Sequence, residues 1–225
     1  MGLACWLVIP HKETKFALAP PAPKKRETMG APHMVMALIS LWIGFLEWGS
    51  ARRLYNFAAR KLCHAGCGVG FMFLDVALPE CRVFVWAVAA SSIALTWELL
   101  PLPPFRFASP RDVGVTVYLG LVSGWFYLRL PPSTLAPLYF ADPAGAVVGK
   151  WCSRNLPRNP RVYGQKSLCG SLAVLLVTFA TVTYPCSLAA RGMVAVCAAA
   201  AEAVGGAYDN LAIAAVVLVG WRSTM

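Results

Sequence analysis

The sequence predicts an all-α, polytopic integral membrane protein with about seven to nine transmembrane helices. Three observations predict it. Of 225 residues, 58% are apolar and only 13% charged, whereas soluble domains are about half apolar and a quarter charged. Mean hydropathy is positive. Long apolar runs alternate with short loops rich in Lys and Arg.

Residues 1–33 contain the proline-rich, basic stretch LAPPAPKKRETMGAP and lack the charged start, apolar core and cleavage site of a signal peptide. They read as an N-terminal tail and a candidate targeting segment, and 34–225 as a single transmembrane domain. A spanning helix needs about 20 mostly apolar residues, fewer where flanking side chains snorkel. Candidate spans cover 34–51, 65–79, 83–101, 113–130, 134–150, 167–185, 187–201 and 207–221; the second, fifth, seventh and eighth are short. Gly120 with Gly124, and Gly145 with Gly149, set small residues one turn apart, where helices can pack closely.

The net charge of +10 suits anionic lipid headgroups, nucleotide phosphates or nucleic acid. Because the basic residues lie between apolar runs, a lipid bilayer and a nucleotide are favoured, and nucleic acid is not expected. In an eight-span topology eleven Lys and Arg, from Arg52 to Lys166, fall on one side, against four (Arg82, Arg129, Arg191, Arg222) on the other. That asymmetry supports the topology, although the tail adds five to the poorer side. The eight cysteines form no CxxC pair, so neither a disulfide framework nor a zinc site is expected. Cys63 and Cys67, flanking His64, read as small buried thiols on a helix rather than a metal cluster.

An ionisable side chain inside a span costs about 2.5–3.5 kcal/mol and marks a functional-site hypothesis. Glu47 and Glu98, beside Trp48 and Trp97, read as interfacial; Asp75 stays open. Asp142 differs, because Pro143 removes a backbone donor beside it and the following AGAVVG admits other backbone closely. A broken helix beside a carboxylate is expected there.

The stretch from Lys150 to Ser171 holds five basic residues up to Lys166, then Lys166-Ser167 and Gly170-Ser171 at the start of an apolar helix. Helix-start amides with a lysine and hydroxyls suit a phosphate, although the spacing is not that of a Walker A loop. Further on, Glu202 and Asp209 flank a Gly-Gly pair. They share one face if the helix is continuous, or converge from two helix ends if it breaks. Carboxylates near a polyphosphate suit a hard divalent cation such as Mg2+.

At these residues the chain resembles the CTP-dependent polyprenol kinase family, which includes phytol kinase, dolichol kinase and the fungal-type diacylglycerol kinase. RKLCH at 60–64, RDVGVTVY at 111–118, FADPAGAVVGK at 140–150, QKSLCGS at 165–171, and Glu202 followed by DNL at 209–211 are similar to the family's signatures and occur in its order. Departures are Cys169 where the family often has an acid, WCSR after Lys150 where a second glycine is common, and AIAA after DNL without the frequent proline. The short length is most similar to phytol kinase.

The resemblance implies transfer of the terminal phosphate of CTP to the hydroxyl of an isoprenoid alcohol, in a plastid or endoplasmic reticulum membrane. It assigns Asp142, Asp209 and Glu202 to Mg2+, with Asp142 alternatively orienting the alcohol as a base. Arg60, Lys61, Lys150, Lys166, Ser167, Gly170 and Ser171 are assigned to the nucleotide phosphates. His64 orients a phosphate, accepts a proton or simply packs; Asn210 binds a ligand or caps a helix. CTP:phosphatidate cytidylyltransferases resemble the same elements, and a transporter using Asp142 is the reading from a different class.

Overall fold

The computed structural model describes residues 31–49 and 54–224. Among them the chain is mostly helical: α1 (Ala31–Gly44), continued by a π-helical turn (Phe45–Gly49), α2 (Asn56–Met72), α3 (Pro79–Thr96), α4 (Val113–Tyr127), α5 (Ala136–Asn155), α6 (Leu168–Thr181), α7 (Leu188–Gly205) and α8 (Asp209–Arg222). Short 3-10 turns, Pro132–Leu135 and Gly206–Tyr208, lead into α5 and α8, and two short strands, β1 (Arg161–Tyr163) and β2 (Lys166–Ser167), pair antiparallel before α6. Most of the candidate tail lies outside the described residues; the first helix already starts at Ala31.

Local chemistry fixes several helix starts. Asp112, Ser167 and Ser187 cap α4, α6 and α7, each accepting from the amide three residues on, which satisfies a donor the helix cannot use. Pro79 opens α3, where its missing N–H costs nothing. The core lies among α2, α4, α5 and α8, around the fully buried Phe71, Phe126, Leu138, Tyr139 and Ile213. Gly68 admits Tyr139 there, since a Cβ on residue 68 would fall 2.5 Å from the tyrosine Cβ.

One expectation needs correction, and three others are refined. α5 runs unbroken through Asp142 and Pro143. Pro143 removes the hydrogen bond to the Tyr139 carbonyl, a cost of about 3 kcal/mol or more, but Leu138, Tyr139 and Ala141 on the preceding turn are completely buried and hold the helix on course. Asp75 lies in no helix; it is exposed between α2 and α3, and its carboxylate accepts from the Ala77 amide at 2.8 Å. Glu47, read as interfacial, accepts from the Arg106 backbone amide at 3.1 Å. Among the described residues Ala31–Gly49 and Leu188–Arg222 are long and apolar enough to cross a membrane by length and composition, and α4 and α6 are shorter apolar helices. Leu188–Arg222 is two helices, α7 and α8, packed on each other across the Gly206 turn.

Of the two glycine pairs, Gly145 and Gly149 do mediate a close crossing, facing Gly170 of α6. Gly120 and Gly124 face open space.

Candidate functional site

At one end of the bundle, helix termini bring charged side chains together. α2 supplies Arg60, Lys61 and His64 from its first turns, and α7 supplies Glu202 just before its end. Gly206 then adopts φ 56, ψ −120, a conformation open to glycine but costly for other residues, and the chain turns so that α8 begins with Asp209. The Gly-Gly break is therefore real, and the two acids converge from two helix ends. With Asp142 they offer carboxylate oxygens that all lie within 4.8 Å of one another. Asp142 and Glu202 are only 5% and 4% exposed.

Buried carboxylates this close need positive partners. Lys61 donates to Asp142 Oδ2 at 2.8 Å, and Lys166 donates to Glu202 Oε1 and, at 2.9 Å, to Asp209 Oδ2. The β1–β2 hairpin delivers Lys166: Tyr163 pairs with Lys166, and Gly164 takes a positive φ of 50° in the turn between them. Partial burial pulls the Lys166 ammonium down, but hydrogen bonding to Glu202 and the charge of Asp209 outweigh it and raise its pKa above the ordinary 10.5. Lys166 is therefore a cation at physiological pH. His64 Nε2 lies 3.1 Å from the Leu138 carbonyl, so in the neutral ring the proton sits there and Nδ1, 3.5 Å from Asp142 Oδ2, is left as an acceptor.

Two cavities flank the cluster. The first is polar: Lys150, Lys166, Ser167, Gly170, Ser171 and Glu202 line it. Its back wall is the α5–α6 crossing, where a Cβ on residue 170 would stand 2.9 Å from the Gly145 carbonyl oxygen and 3.5 Å from Gly149 Cα. Ser171 Oγ is buried there without a hydrogen-bond partner. The second cavity is apolar, bounded by α2, α3, α4 and the segment after α3, with Phe71, Val88 and Leu119 in its walls. Arg60, His64, Asp142 and Asn210 form its polar end. Asp142 faces the apolar cavity and Glu202 the polar one, so the carboxylate cluster stands between them.

The residues assigned from sequence thus divide. Lys150, Lys166, Ser167, Gly170 and Ser171 share the polar cavity, although the Lys150 ammonium sits over the Phe57 ring at 4.0 Å. Arg60 and Asn210, expected with the phosphates, line the apolar cavity instead. Arg60 is committed to Asp112 through a two-pronged ion pair at 2.5 and 3.1 Å. Asn210 donates to the Gly114 carbonyl at 3.4 Å, while its Oδ1 is buried without a partner. Cys63, partly buried, and Cys67, buried, touch each other at 3.9 Å, with His64 turned toward the Leu138 carbonyl.

Sequence reasoning missed Asn159 and Gln165, which also line the polar cavity. Asn159 donates to Ser153 Oγ (2.8 Å) and the Gly149 carbonyl (3.3 Å), and accepts from the Cys169 amide (3.3 Å), stapling the end of α5 to the start of α6. Its only signal was the Asn-Pro dipeptide, a turn marker. The three hard carboxylates fit a small divalent cation of the Mg2+ class, which prefers oxygen ligands and shares its shell with phosphate. No family model, curated protein or solved structure matches this chain.

Proposed function

We propose that the protein is a membrane-embedded lipid kinase that transfers the terminal phosphate of CTP to the hydroxyl of an isoprenoid alcohol such as phytol or geranylgeraniol. The single observation that carries this reading is the position of the carboxylate cluster between a basic, polar cavity and an apolar one. A soluble polyanion and a greasy acceptor need such unlike pockets with a charged junction between them. CTP as donor, the isoprenoid nature of the acceptor and residence in a plastid or endoplasmic reticulum membrane follow from the motif resemblance. Membrane residence is further supported by the apolar segments Ala31–Gly49 and Leu188–Arg222 and by exposed Leu38, Leu41, Leu172, Leu176, Val196 and Val219.

Phosphoryl transfer asks for positioning and charge neutralisation. The Lys166 ammonium and the hydroxyls of Ser167 and Ser171 bind the phosphates. Asp142, Glu202 and Asp209 would hold Mg2+, which neutralises phosphate charge when bound. The alcohol oxygen forms the new bond to the terminal phosphorus, the bond from that phosphorus to the bridging oxygen breaks, and CDP leaves. The hydroxyl proton passes to Asp142 or to Nδ1 of His64. Purified protein given CTP labelled at the terminal phosphate should transfer label to the lipid. Labelled pyrophosphate in place of labelled lipid would instead identify a cytidylyltransferase and defeat the kinase reading.

A further inference from the structure

We propose that the apolar cavity beside Asp142 is the acceptor site, that it takes a single-chain lipid alcohol rather than a diacyl lipid, and that Asn210, Phe105 and Phe107 set this selectivity. The proposal rests on the kinase reading and adds to it which part of the molecule recognises the acceptor. Three independent features carry it.

The first is hydrogen-bonding capacity. Asn210 is 5% exposed, and its amide group faces the Gly114 carbonyl, which fixes the NH2 on that side and leaves Oδ1 buried beside the cavity with no partner. A buried, unpaired oxygen costs about 1–3 kcal/mol and calls for a donor. Most other polar groups lining the cavity have donors committed: Arg60 gives two of its five N–H groups to Asp112, Thr96 donates to the Ser92 carbonyl, Tyr118 to the His64 carbonyl, and His64 Nε2 to the Leu138 carbonyl. Ser92 is the one lining hydroxyl left to donate. The cavity thus offers a ligand head the acceptors Asn210 Oδ1, Asp142 and His64 Nδ1, beside the remaining N–H groups of Arg60. A hydroxyl satisfies them. The two ester carbonyls of a diacylglycerol, unlike a hydroxyl, supply no donor to Asn210 Oδ1.

The second feature is the wall built by the segment between α3 and α4. Phe105 and Phe107 stack with ring centroids 5.2 Å apart and planes 4° from parallel, and both line the cavity. The third is how that wall is held. Arg106, between them, donates from its backbone amide to Glu47, and its guanidinium donates to the carbonyls of Leu46, Glu47 and Leu54. The π-helical turn supplies the first two of these acceptors, and Leu54, just before α2, the third. Arg106 is thus a positioning residue that pins the aromatic wall to the end of α1.

The test uses the full chain in detergent micelles and equilibrium binding of radiolabelled geranylgeraniol, with dioleoylglycerol as competitor and CTP binding as the control. Asn210→Ala and Phe107→Ala should each weaken geranylgeraniol binding by about tenfold and leave CTP affinity unchanged; Phe105→Leu serves as the milder second variant. Arg106→Ala should do the same, with Arg106→Lys recovering little, since an ammonium cannot reach several carbonyls at once. Dioleoylglycerol should compete poorly. Unchanged alcohol binding in the Asn210 and Phe variants would overturn the assignment, as would equal competition by dioleoylglycerol. If wild type transfers no phosphate yet binds alcohol in a manner that depends on these residues, the kinase reading fails and the acceptor site stands. Phosphate transfer with alcohol binding indifferent to them has the opposite meaning.

Discussion

Lys166 spans Glu202 and Asp209, and the consequences of removing it separate a structural role from a site role. Taking one partner from a buried ion pair costs about 3–5 kcal/mol; with Lys166 a quarter exposed, Lys166→Met should cost nearer 2 kcal/mol in thermal unfolding. Millimolar Mg2+ should restore part of that loss in the variant, because a divalent cation suits the same three carboxylates; no effect of Mg2+ would remove the cation from this site. The folded-state pKa of Lys166 lies above its unfolded 10.5, so its contribution is complete below about pH 10 and is lost as pH rises through the raised folded value. The difference between wild type and Lys166→Met should therefore shrink as pH rises above about 10. Asp142→Asn should lower turnover by about 100- to 10,000-fold, the range for loss of a general base, as read from label transfer to lipid. These charges stood out in the sequence because each interrupts or borders an apolar run. Asn159 and Arg106 did not, since a polar residue in a polar loop has no periodicity to betray it. Their importance lies in partners 10 and about 60 positions away.

At the scale of elements, the α5–α6 crossing is the tightest joint in the site. Gly170→Ala would push a Cβ against the Gly145 carbonyl, which as backbone cannot rotate away. Overpacking of this kind costs about 1–3 kcal/mol. The variant should lose that much stability and most of its CTP affinity, because Ser167 and Ser171 move with α6. Gly120→Ala, facing open space, should unfold like wild type. Both glycine pairs look alike in sequence; only the opposing element, absent from a local pattern, tells them apart. Gly206→Ala meets φ 56 and ψ −120 at the α7–α8 turn, a strain of about 1–3 kcal/mol. It should separate Glu202 from Asp209 and blunt any Mg2+ stabilisation without altering alcohol binding. The Gly-Gly pair signalled this turn correctly, since no neighbour was needed to make glycine the weak point. Pro143 signalled a break that does not occur, because local propensity there was overridden by complete burial of the preceding turn.

At the scale of the whole molecule, the site lies at one end of the bundle rather than at its middle. Asp142 meets Lys61, near the start of α2, and Asp209, at the start of α8; the 13 residues of α5 beyond it extend about 20 Å at the helical rise. That extension, the β1–β2 hairpin and the first turn of α6 form the polar cavity. Among the described residues this end carries Arg60, Lys61, Arg106, Arg111, Lys150, Arg154, Arg158, Arg161 and Lys166, while Arg82, Arg129, Arg191 and Arg222 lie at the other helix ends. If the chain spans a bilayer as proposed, its basic loops belong on the cytoplasmic or equivalent side, which is also where a soluble nucleotide is available, so charge asymmetry and cavity polarity make the same demand on orientation. Epitopes inserted after Arg158 and after Cys186 should then be cleaved from opposite sides of sealed vesicles. The Arg158 epitope should be accessible on the face to which added CTP must be supplied for turnover. Cleavage of both from one side would mean that α6 does not cross the bilayer. Lysine and arginine counts would then describe a solvated surface rather than a topology, and the two cavities would have to be fed from the same phase.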